Sequence, residues 1–384
     1  MRIALVAGET SGDTLGAALI EGLKKRFPQA EFAGVAGPAM RAAGCEAWHD
    51  IESLSVMGLT EVIAHLPRLF SLRAKLRRRL IEWAPDVFIG VDYKEFNLGL
   101  ARQLKRAGLT TVQYVSPQVW AWRQGRVRTI GESVDLVLCL FPFEPDFYRE
   151  HGVRAAFVGH PLADQVPMEI DRAGARAELG IDAAARVLAV LPGSRRGEVE
   201  KLADCFAGAA ELLAQRYPGL VTLAPMVTPQ LRDAFAARCA ALAPTAKVRF
   251  LDGQARRVLA AADVVLVASG TATLETALSK RPMVVAYRLG GITAFLLRNL
   301  KLVKLQHFSQ PNLLAGKELV PEFFQEAASP ANLSSALARW IEHPEDVARL
   351  QAEFAALHSR LRCDGAERAA NEVAELLTAR VARP

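Results

Sequence analysis

Asp92 stands directly after a short apolar run, Val87–Val91, that has the length and composition of a buried strand. An acid at the tip of a buried strand is well placed to act as a general base, taking a proton from an attacking hydroxyl. Glu95 and Asn97 are the next polar candidates along the chain. The alternative role for Asp92 is to cap the helix that follows. The sequence leaves both roles open, with Glu95 as the rival carboxylate.

A second candidate is the loop Gly-Glu-Thr-Ser-Gly-Asp at 8–13, after the first apolar run of the chain. Its glycines let the backbone turn tightly, and exposed amides at the start of a helix can bind a sugar or a phosphate. Ser11 and Gly12 are the candidate contacts. The alternative is an ordinary turn in which Ser11 or Asp13 caps the helix. The spacing is not GxGxxG, so a dinucleotide site is not predicted.

Two further loops, at 191–198 and 268–275, suit a diphosphate and a ribose, since each joins an apolar run to the start of a helical stretch. In Leu-Pro-Gly-Ser-Arg-Arg-Gly-Glu at 191–198, the amides of the loop and the guanidinium of Arg195 or Arg196 could bind a diphosphate. The loop lacks the Lys-Ser/Thr ending of a Walker motif, so ATP hydrolysis is not indicated. The alternative for 191–198 is a solvated basic turn. The alternative for 268–275 is a capped helix. The candidate ligand-binding residues of the two loops are Ser194, Arg195, Ser269, Gly270, Thr271 and Glu275.

Aromatic and amide side chains mark two more segments. Residues 114–123 carry Gln118, Trp120 and Trp122 beside a predicted strand end. Tryptophan rings stack on sugars or line acyl pockets, although tryptophan is also a common core residue. Residues 310–316 carry Asn312, whose amide suits sugar or diphosphate recognition, or alternatively an ordered turn.

Short apolar runs alternate with helical patterns along the whole chain. The strands and helices that they predict hold these loops in place. This alternation predicts an α/β fold with doubly wound parallel sheets, in which ligands bind beyond the carboxyl ends of the strands. A polar, proline-containing break at 159–164 separates two Rossmann-like domains, 1–163 and 164–343, with a cleft between them. A helical tail, 344–384, could pack back onto the first domain. Strands are predicted at 3–7, 32–36, 87–91, 111–115, 136–140, 156–158, 187–191, 221–224, 248–251, 264–268 and 283–286.

Charge and composition exclude several classes of protein. The net charge is +6, and residues 68–79 alone hold six positive charges and no acid, so the rest of the chain is near neutral. A nucleic-acid-coating protein is therefore not predicted. The five cysteines form no CxxC pair and the seven histidines are scattered, so no metal site is predicted. The first apolar run is too brief for an export signal, and we expect a cytoplasmic protein.

The basic stretch is interleaved with apolar residues at helical spacing, on either side of a helix break expected at Pro67. Such a surface could rest on an anionic membrane. The alternative is an ordinary helix that packs its apolar stripe on a sheet. The membrane patch defined in this way consists of Val62, Ile63, Leu66, Leu69, Phe70, Leu72, Leu76, Arg77, Arg78 and Arg79.

Five of these segments occur together and in order, namely GETSGD, YVSPQVWAWR, LPGSR, ASGTA and PNLLAG. The ordered set resembles the lipid-A-disaccharide synthase family, over nearly the whole chain from Ile3 to the helical tail. The resemblance implies a GT-B fold and an inverting transfer that needs no cofactor or metal. UDP-2,3-diacylglucosamine would donate its sugar to the 6-hydroxyl of 2,3-diacylglucosamine 1-phosphate, giving a β-1,6 disaccharide and UDP.

The resemblance also implies roles for residues. Ser194, Arg195, Glu275 and Asn312 would lie at the donor in the C-terminal domain, and Asp92 is similar to the family's catalytic acid. The family loop reads Asp-Ala-Pro-Asp-Phe-Asn, whereas residues 92–97 here read Asp-Tyr-Lys-Glu-Phe-Asn. The implied partners are acylated glucosamine lipids and the anionic surface of the inner membrane, with which the cytoplasmic protein would associate peripherally; a homo-oligomer is left open, and nucleic acid is not expected.

Three other activities remain alternatives. A muramyl-lipid N-acetylglucosaminyltransferase has the same implied fold, and a UDP-N-acetylglucosamine 2-epimerase has related architecture but no acceptor. A non-enzymatic protein that senses a nucleotide sugar at a membrane is the third. The paired tryptophans and the basic stretch favour a lipid acceptor over an epimerase, and Asp92 beside the aromatic segment favours an enzyme.

Overall fold

The computed structural model describes residues 1–54, 59–120, 124–289 and 307–381, without the side chains of 59–66, 380 and 381. The chain divides into two units. The first contains residues 1–164 and 361–384, and the second contains residues 165–360. Each unit is built on its own parallel sheet. The predicted tail at 344–384 is thus divided between the two units.

The first unit has a seven-stranded sheet in the order β3-β2-β1-β4-β5-β6-β7. Its central strands are buried along nearly their whole length, because helices cover both faces. The strands are β1 Arg2–Ala7, β2 Glu31–Ala36, β3 Cys45–Asp50, β4 Val87–Val91, β5 Thr110–Tyr114, β6 Leu136–Cys139 and β7 Ala155–Phe157. The helices in the N-terminal part of this unit are α1 Thr10–Arg26, α2 Pro38–Ala42, α3 Leu59–Trp83, α4 Lys94–Arg106, α5 Arg126–Ser133, α6 Glu144–Glu150 and α7 Pro161–Gln165.

The second unit has a six-stranded sheet in the order β10-β9-β8-β11-β12-β13. Its strands are β8 Val187–Leu191, β9 Val221–Met226, β10 Arg249–Asp252, β11 Val264–Ala268, β12 Met283–Tyr287 and β13 Glu322–Phe324. Its helices are α8 Arg172–Glu178, α9 Arg196–Arg216, α10 Pro229–Leu242, α11 Ala255–Ala261, α12 Thr271–Leu278, α13 Gln310–Ala315, α14 Pro330–Glu342 and α15 Pro344–Leu361.

The last helix, α16 Gly365–Val381, belongs to the first unit. Its buried residues Ala369, Ala370 and Val373 join the core of that unit. The helix approaches α1 closely, since a Cβ at Gly22 would lie 3.0 Å from the Cβ of Ala370. Small residues on both helices therefore fix the end of the chain on the first sheet.

The predicted α/β class with two doubly wound parallel sheets is confirmed, and each predicted strand is present within two residues at either end. Two edge strands, β3 and β13, were not predicted. The helix break expected at Pro67 is wrong, because α3 continues through that residue. Within the described residues, no helix combines the length and the apolar composition that crossing a membrane requires.

Candidate active site

Asp92 lies at the carboxyl end of β4 in an unusual backbone conformation. Its φ is 50° and that of Tyr93 is 35°, both in the left-handed region. Val115, just beyond the neighbouring strand β5, has a φ of 74°. A β-branched residue is a true outlier there, and such strain costs about 1–3 kcal/mol per residue and clusters at functional sites. The carboxyl edge at β4 and β5 is therefore the strained part of the first sheet.

Buried amides hold this turn. The Nδ2 of Asn97 donates to the backbone oxygens of Asp92 (3.0 Å) and Val6 (3.1 Å), and the side chain is fully buried. The Asp92 N–H donates to the oxygen of Tyr114 at 2.8 Å. Tyr93, rather than Asp92, is the residue that precedes α4, so Asp92 is not its N-cap. The predicted site residue Asn97 thus supports the turn and is not open to a ligand.

Glu95, the rival carboxylate, is held by a guanidinium. Arg126 donates two hydrogen bonds to it, both at 2.8 Å, and this pairing raises the pKa of Arg126. Both carboxylate oxygens of Glu95 therefore accept from the guanidinium, although the side chain is 68% exposed. The geometry favours Asp92 over Glu95 as the base.

The first glycine-containing loop lies beside Asp92. Ser11 and Gly12 belong to the first turn of α1, and a Cβ at Gly12 would lie 3.3 Å from the oxygen of Val91. Ser11 is exposed there. Asp13 does not cap α1: its carboxylate accepts from the backbone N–H groups at the start of α2, at 2.8 Å from Gly37. Ser11 therefore remains the candidate contact, and Asp13 has a structural role.

The aromatic segment is anchored by a glutamate that the sequence analysis missed. Trp120 is half-buried and donates its Nε1–H to Glu144 at 3.0 Å, while Gln118 is exposed. The other Glu144 oxygen accepts from the N–H of Phe141 at 2.9 Å. Trp122 lies outside the described residues. An acid within the aromatic run Phe-Pro-Phe-Glu, just after a strand, was the signal that could have indicated this residue.

Glu144 should make stability depend on pH. Burial raises its pKa from 4.5 to about 7, so the folded chain binds a proton that the unfolded chain releases. The free energy of unfolding should therefore fall as pH rises from 4.5 through about 7, by about 3 kcal/mol. Glu144→Gln carries no charge at any pH and should lose this dependence in urea titrations. Glu150→Gln, at the exposed end of the same helix, should keep it. Parallel pH curves for the two variants would contradict the assignment.

In the second unit, two candidate loops follow the adjacent strands β8 and β11 and so share one edge. The side chain of Arg195 is 84% exposed and lies 3.4 Å from Glu198. Glu198 also accepts from the N–H groups of Ser194 (3.1 Å) and Arg195 (3.3 Å). These two amides, which we expected at the diphosphate, already bind a carboxylate. Contact with an anion therefore falls chiefly to the Arg195 guanidinium.

The β11–α12 loop presents small residues at its helix start. Gly270 and Thr271 are exposed, and the hydroxyl of Ser269 donates to the oxygen of Phe308 at 3.1 Å. Glu275, one turn into α12, is half-buried, and burial raises its pKa while Arg256 opposes the shift. A partly desolvated carboxyl at this edge can accept hydrogen bonds from ribose hydroxyls.

Asn312 does not present its amide to a ligand. It is fully buried, its oxygen accepts from the N–H groups of Leu319 (2.8 Å) and Val320 (3.0 Å), and its Nδ2 donates to the Val320 oxygen. The alternative of an ordered turn describes the structure, and the donor contact predicted for Asn312 is corrected on this ground. Glu322 on β13 is the residue missed nearby, since it accepts from the N–H of Ser309 at 2.7 Å.

An aromatic cluster at the same edge was also missed. The rings of Tyr287, Phe308 and Phe324 lie 6.1–6.2 Å apart. Burial raises the pKa of Tyr287, with Glu198 adding to the shift and Arg195 opposing it, so these charges lie close to the ring. The signal in the sequence was weak, because Phe308 and Phe324 belong to unrelated segments.

The membrane patch is only partly exposed. Leu72 and Leu76 are 8% and 1% exposed and belong to the core, so their predicted insertion into a membrane is wrong. Leu69 packs partly against the same core, and Phe70 is 54% exposed. The side chains of Val62, Ile63 and Leu66 fall outside the described residues.

The three arginines of the patch have different surroundings. Arg77 and Arg78 are exposed. Arg79 lies 4.3 Å from the ring centre of Trp48 and 3.5 Å from Glu46. The C-terminal half of α3 thus packs as a core helix with an outer face that carries Phe70, Arg77 and Arg78. Across the described ranges, no group of three or more His, Cys, Asp and Glu side chains could hold a metal ion.

Solved structures show the fold. A UDP-GlcNAc 2-epimerase from Neisseria meningitidis, bound to UDP-GlcNAc, aligns with a TM-score of 0.65 at 13% identity, over 98% of this chain and 100% of that one. The glycotransferase of kitacinnamycin aligns with a TM-score of 0.60 at 20% identity, over 97% and 98%. At these identities the likeness shows the GT-B architecture alone.

Sequence relatives show the family. A family model described as lipid-A-disaccharide synthetase matches residues 3–373. A lipid-A-disaccharide synthase of Xanthomonas campestris pv. campestris (strain 8004) is 52% identical over 99% of this chain and 87% of its own length. One of Xylella fastidiosa (strain M12) is 49% identical over 99% of both. With both kinds of match extending over nearly all its residues, the chain belongs to the lipid-A-disaccharide synthase family of glycosyltransferases.

Proposed function

We propose that the chain transfers 2,3-diacylglucosamine from UDP to the 6-hydroxyl of 2,3-diacylglucosamine 1-phosphate, with inversion at the anomeric carbon. The observation that carries this proposal is the strained turn at Asp92. It presents one carboxylate at the carboxyl edge of the first sheet, while the neighbouring Glu95 is paired with Arg126. A single positioned base suits a single displacement, because direct attack needs no enzyme nucleophile.

The donor is assigned to the second unit. The Arg195 guanidinium neutralises charge on the departing UDP, since it is exposed and lies 3.4 Å from Glu198, whereas the equally exposed Arg196 pairs with Glu200 at 2.7 Å. Gly270 and Thr271 offer close backbone approach at the start of α12, and Glu275 accepts hydrogen bonds from the ribose. In this proposal neither a metal ion nor a cofactor takes part, and the guanidinium provides the positive charge that stabilises the leaving group.

The acceptor is assigned to the first unit. Ser11, at the exposed start of α1, and the segment from Gln118 to Trp120 flank the turn that carries Asp92. Trp120 offers an aromatic face for a sugar or an acyl chain, with its Nε1–H fixed on Glu144.

Product analysis separates this proposal from its alternatives. The purified chain is incubated with UDP-2,3-diacylglucosamine and 2,3-diacylglucosamine 1-phosphate, and the products are identified by mass spectrometry. We expect a disaccharide 1-phosphate and an equal amount of UDP. Parallel reactions contain UDP-N-acetylglucosamine alone or with a lipid-linked muramyl acceptor. Inversion at C2, or glycosylation of the muramyl lipid, would replace the proposal by one of those activities.

The lipid substrates also suggest where the enzyme works. We propose that the outer face of α3 rests on the cytoplasmic surface of the inner membrane, through Phe70, Arg77 and Arg78. An exposed phenylalanine can insert among headgroups, and basic residues near an anionic leaflet contribute about 1 kcal/mol each. The binding would be reversible, because no second anchor is proposed.

The membrane proposal predicts a loss of vesicle binding. Replacing Arg77 and Arg78 by glutamine should weaken binding to vesicles that contain phosphatidylglycerol by about 30-fold, from about 1 kcal/mol per charge. Adding Phe70→Ala should weaken it further. Arg232→Gln with Arg238→Gln on α10 changes the net charge equally and should have little effect. Unchanged vesicle binding of the α3 variants would favour a purely structural helix.

A further inference from the structure

Gln113 is a fully buried amide in the middle of the first sheet. It lies on β5 opposite Gly90 of β4. Its Nε2 donates to three backbone oxygens, those of Asp92 (3.0 Å), Tyr114 (3.2 Å) and Val115 (3.4 Å). The first and last of these residues have left-handed backbones, with φ values of 50° and 74°. One side chain therefore connects the two strained turns.

The absence of a side chain at Gly90 makes this arrangement possible. A Cβ there would lie 2.7 Å from the Cβ of Asn97 and 3.1 Å from the Oε1 of Gln113. Asn97 and Gln113 reach the same Asp92 oxygen, each at 3.0 Å. The carbonyl group of Asp92 is thus fixed by two buried donors, one from α4 and one from β5.

This arrangement is not the one that stability alone would favour. Among the described residues, the amide oxygens of Gln113 and Asn97 have no hydrogen-bond partner although both are buried. An unpaired buried polar atom costs about 1–3 kcal/mol, and an apolar side chain of the same shape avoids that cost. Two of the three oxygens that Gln113 binds also have another donor, since Asn97 donates to Asp92 and the Asp92 N–H donates to Tyr114.

We propose that Gln113 is a positioning residue for Asp92. By binding the carbonyl groups of Asp92 and Val115, it keeps both turns in their strained conformation and so fixes the direction of the Asp92 carboxylate. This inference rests on the proposed role of Asp92 as the base. A relaxed turn would displace the carboxylate, and a misplacement of about 1 Å can cost about 100-fold in rate.

The Gln113→Met variant tests this role. Methionine has a similar length, donates no hydrogen bond and has no amide oxygen to leave unpaired, although the Val115 oxygen loses the 3.4 Å hydrogen bond from Gln113. We expect kcat to fall by about 10- to 100-fold. The affinity for UDP and the KM for the donor should be unchanged, and the melting temperature should stay the same or rise. A residue that served only stability would show the opposite result, a lower melting temperature with normal kcat.

The control is Thr111→Val on the same face of β5. Thr111 is fully buried, and its hydroxyl donates to Ser133 at 3.1 Å, at the other end of the strand. Its loss should lower the melting temperature and leave kcat unchanged. If Gln113→Met and Thr111→Val reduce stability and kcat in the same proportion, Gln113 has only a structural role and the proposal is wrong.

A double variant shows whether Gln113 acts through Asp92. In an Asp92→Asn background, Gln113→Met should cause no further loss of turnover, because no base remains to be positioned. A further loss equal to that in the unsubstituted chain would overturn the inference, as would full activity of the single variant. If Asp92→Asn is itself active, the proposed base is wrong, which is a different outcome from failure of the Gln113 proposal alone.

Discussion

We expect the Asp92→Asn variant to fold normally, to bind UDP with unchanged affinity and to turn over at least about 100-fold more slowly. Asparagine keeps the shape of the side chain and its backbone contacts with Asn97 and Gln113, and it removes only the basicity. UDP affinity should not change because the donor is assigned to the second unit. Steady-state kinetics, UDP titration calorimetry and thermal melting measure the three quantities.

The physical reason is the chemistry of the acceptor. A primary hydroxyl is a poor nucleophile near neutral pH, and its attack on an anomeric carbon requires the proton to leave. A carboxylate within reach accepts that proton as UDP departs from the opposite face. Such general-base assistance is worth about 10²–10⁴-fold, and the expected loss follows from that range.

Glu95→Gln is the control for this prediction. Glu95 lies three positions after Asp92, in the loop that departs from the family pattern, and it accepts both hydrogen bonds from Arg126. We expect this variant to retain activity within a few-fold of the unsubstituted chain. An inactive Glu95→Gln beside an active Asp92→Asn would move the base to Glu95.

Replacement of Arg195 by alanine should cause a loss of about 10- to 100-fold in turnover. A charge-assisted hydrogen bond is worth about 1.5–3 kcal/mol, and each 1.36 kcal/mol is tenfold in rate. Arg196→Ala is a closely matched control. Its side chain is 86% exposed against 84% for Arg195, and it pairs with Glu200 at 2.7 Å. Equal losses in the two variants would show a general charge effect.

The same proposal predicts that EDTA changes the rate little. If the guanidinium stabilises the leaving group, removal of divalent cations should leave turnover of the purified chain nearly intact. The measurement is the initial rate with and without chelator, followed by addition of magnesium. Strong inhibition that magnesium reverses would show that a metal ion performs this role.

Eleven of the thirteen strands in the described part of the chain were predictable, because a strand buried in a parallel sheet is a nearly continuous apolar run. The two missed strands lie at sheet edges, where that signal weakens. β3 Cys45–Asp50 is largely half-exposed, and β13 Glu322–Phe324 has only three residues. Pro67 misled the prediction in a different way, because α3 continues through it although proline usually ends or kinks a helix.

The sequence predicted that the candidate residues lie at the carboxyl ends of the strands. It predicted their individual roles less well. Loops after strands stand out in a sequence, and Asp92 and Arg195 are where this rule places them. Asn312 and Leu72 were misassigned because the sequence does not show that both side chains are buried, Asn312 with hydrogen bonds to Leu319 and Val320. Glu144 and Gln113 were missed for the same reason, since their importance depends on hydrogen bonds to other strands and loops.

The most direct test of the proposed reaction is the configuration of its product. The purified chain is incubated with α-linked UDP-2,3-diacylglucosamine and 2,3-diacylglucosamine 1-phosphate. Proton NMR follows the signal of the anomeric proton as the product forms. One displacement assisted by Asp92 predicts a β-1,6 linkage that appears together with one equivalent of UDP. An α linkage would require an enzyme nucleophile or a different mechanism. If the donor sugar is inverted at C2 and no disaccharide forms, the chain does not perform this transfer.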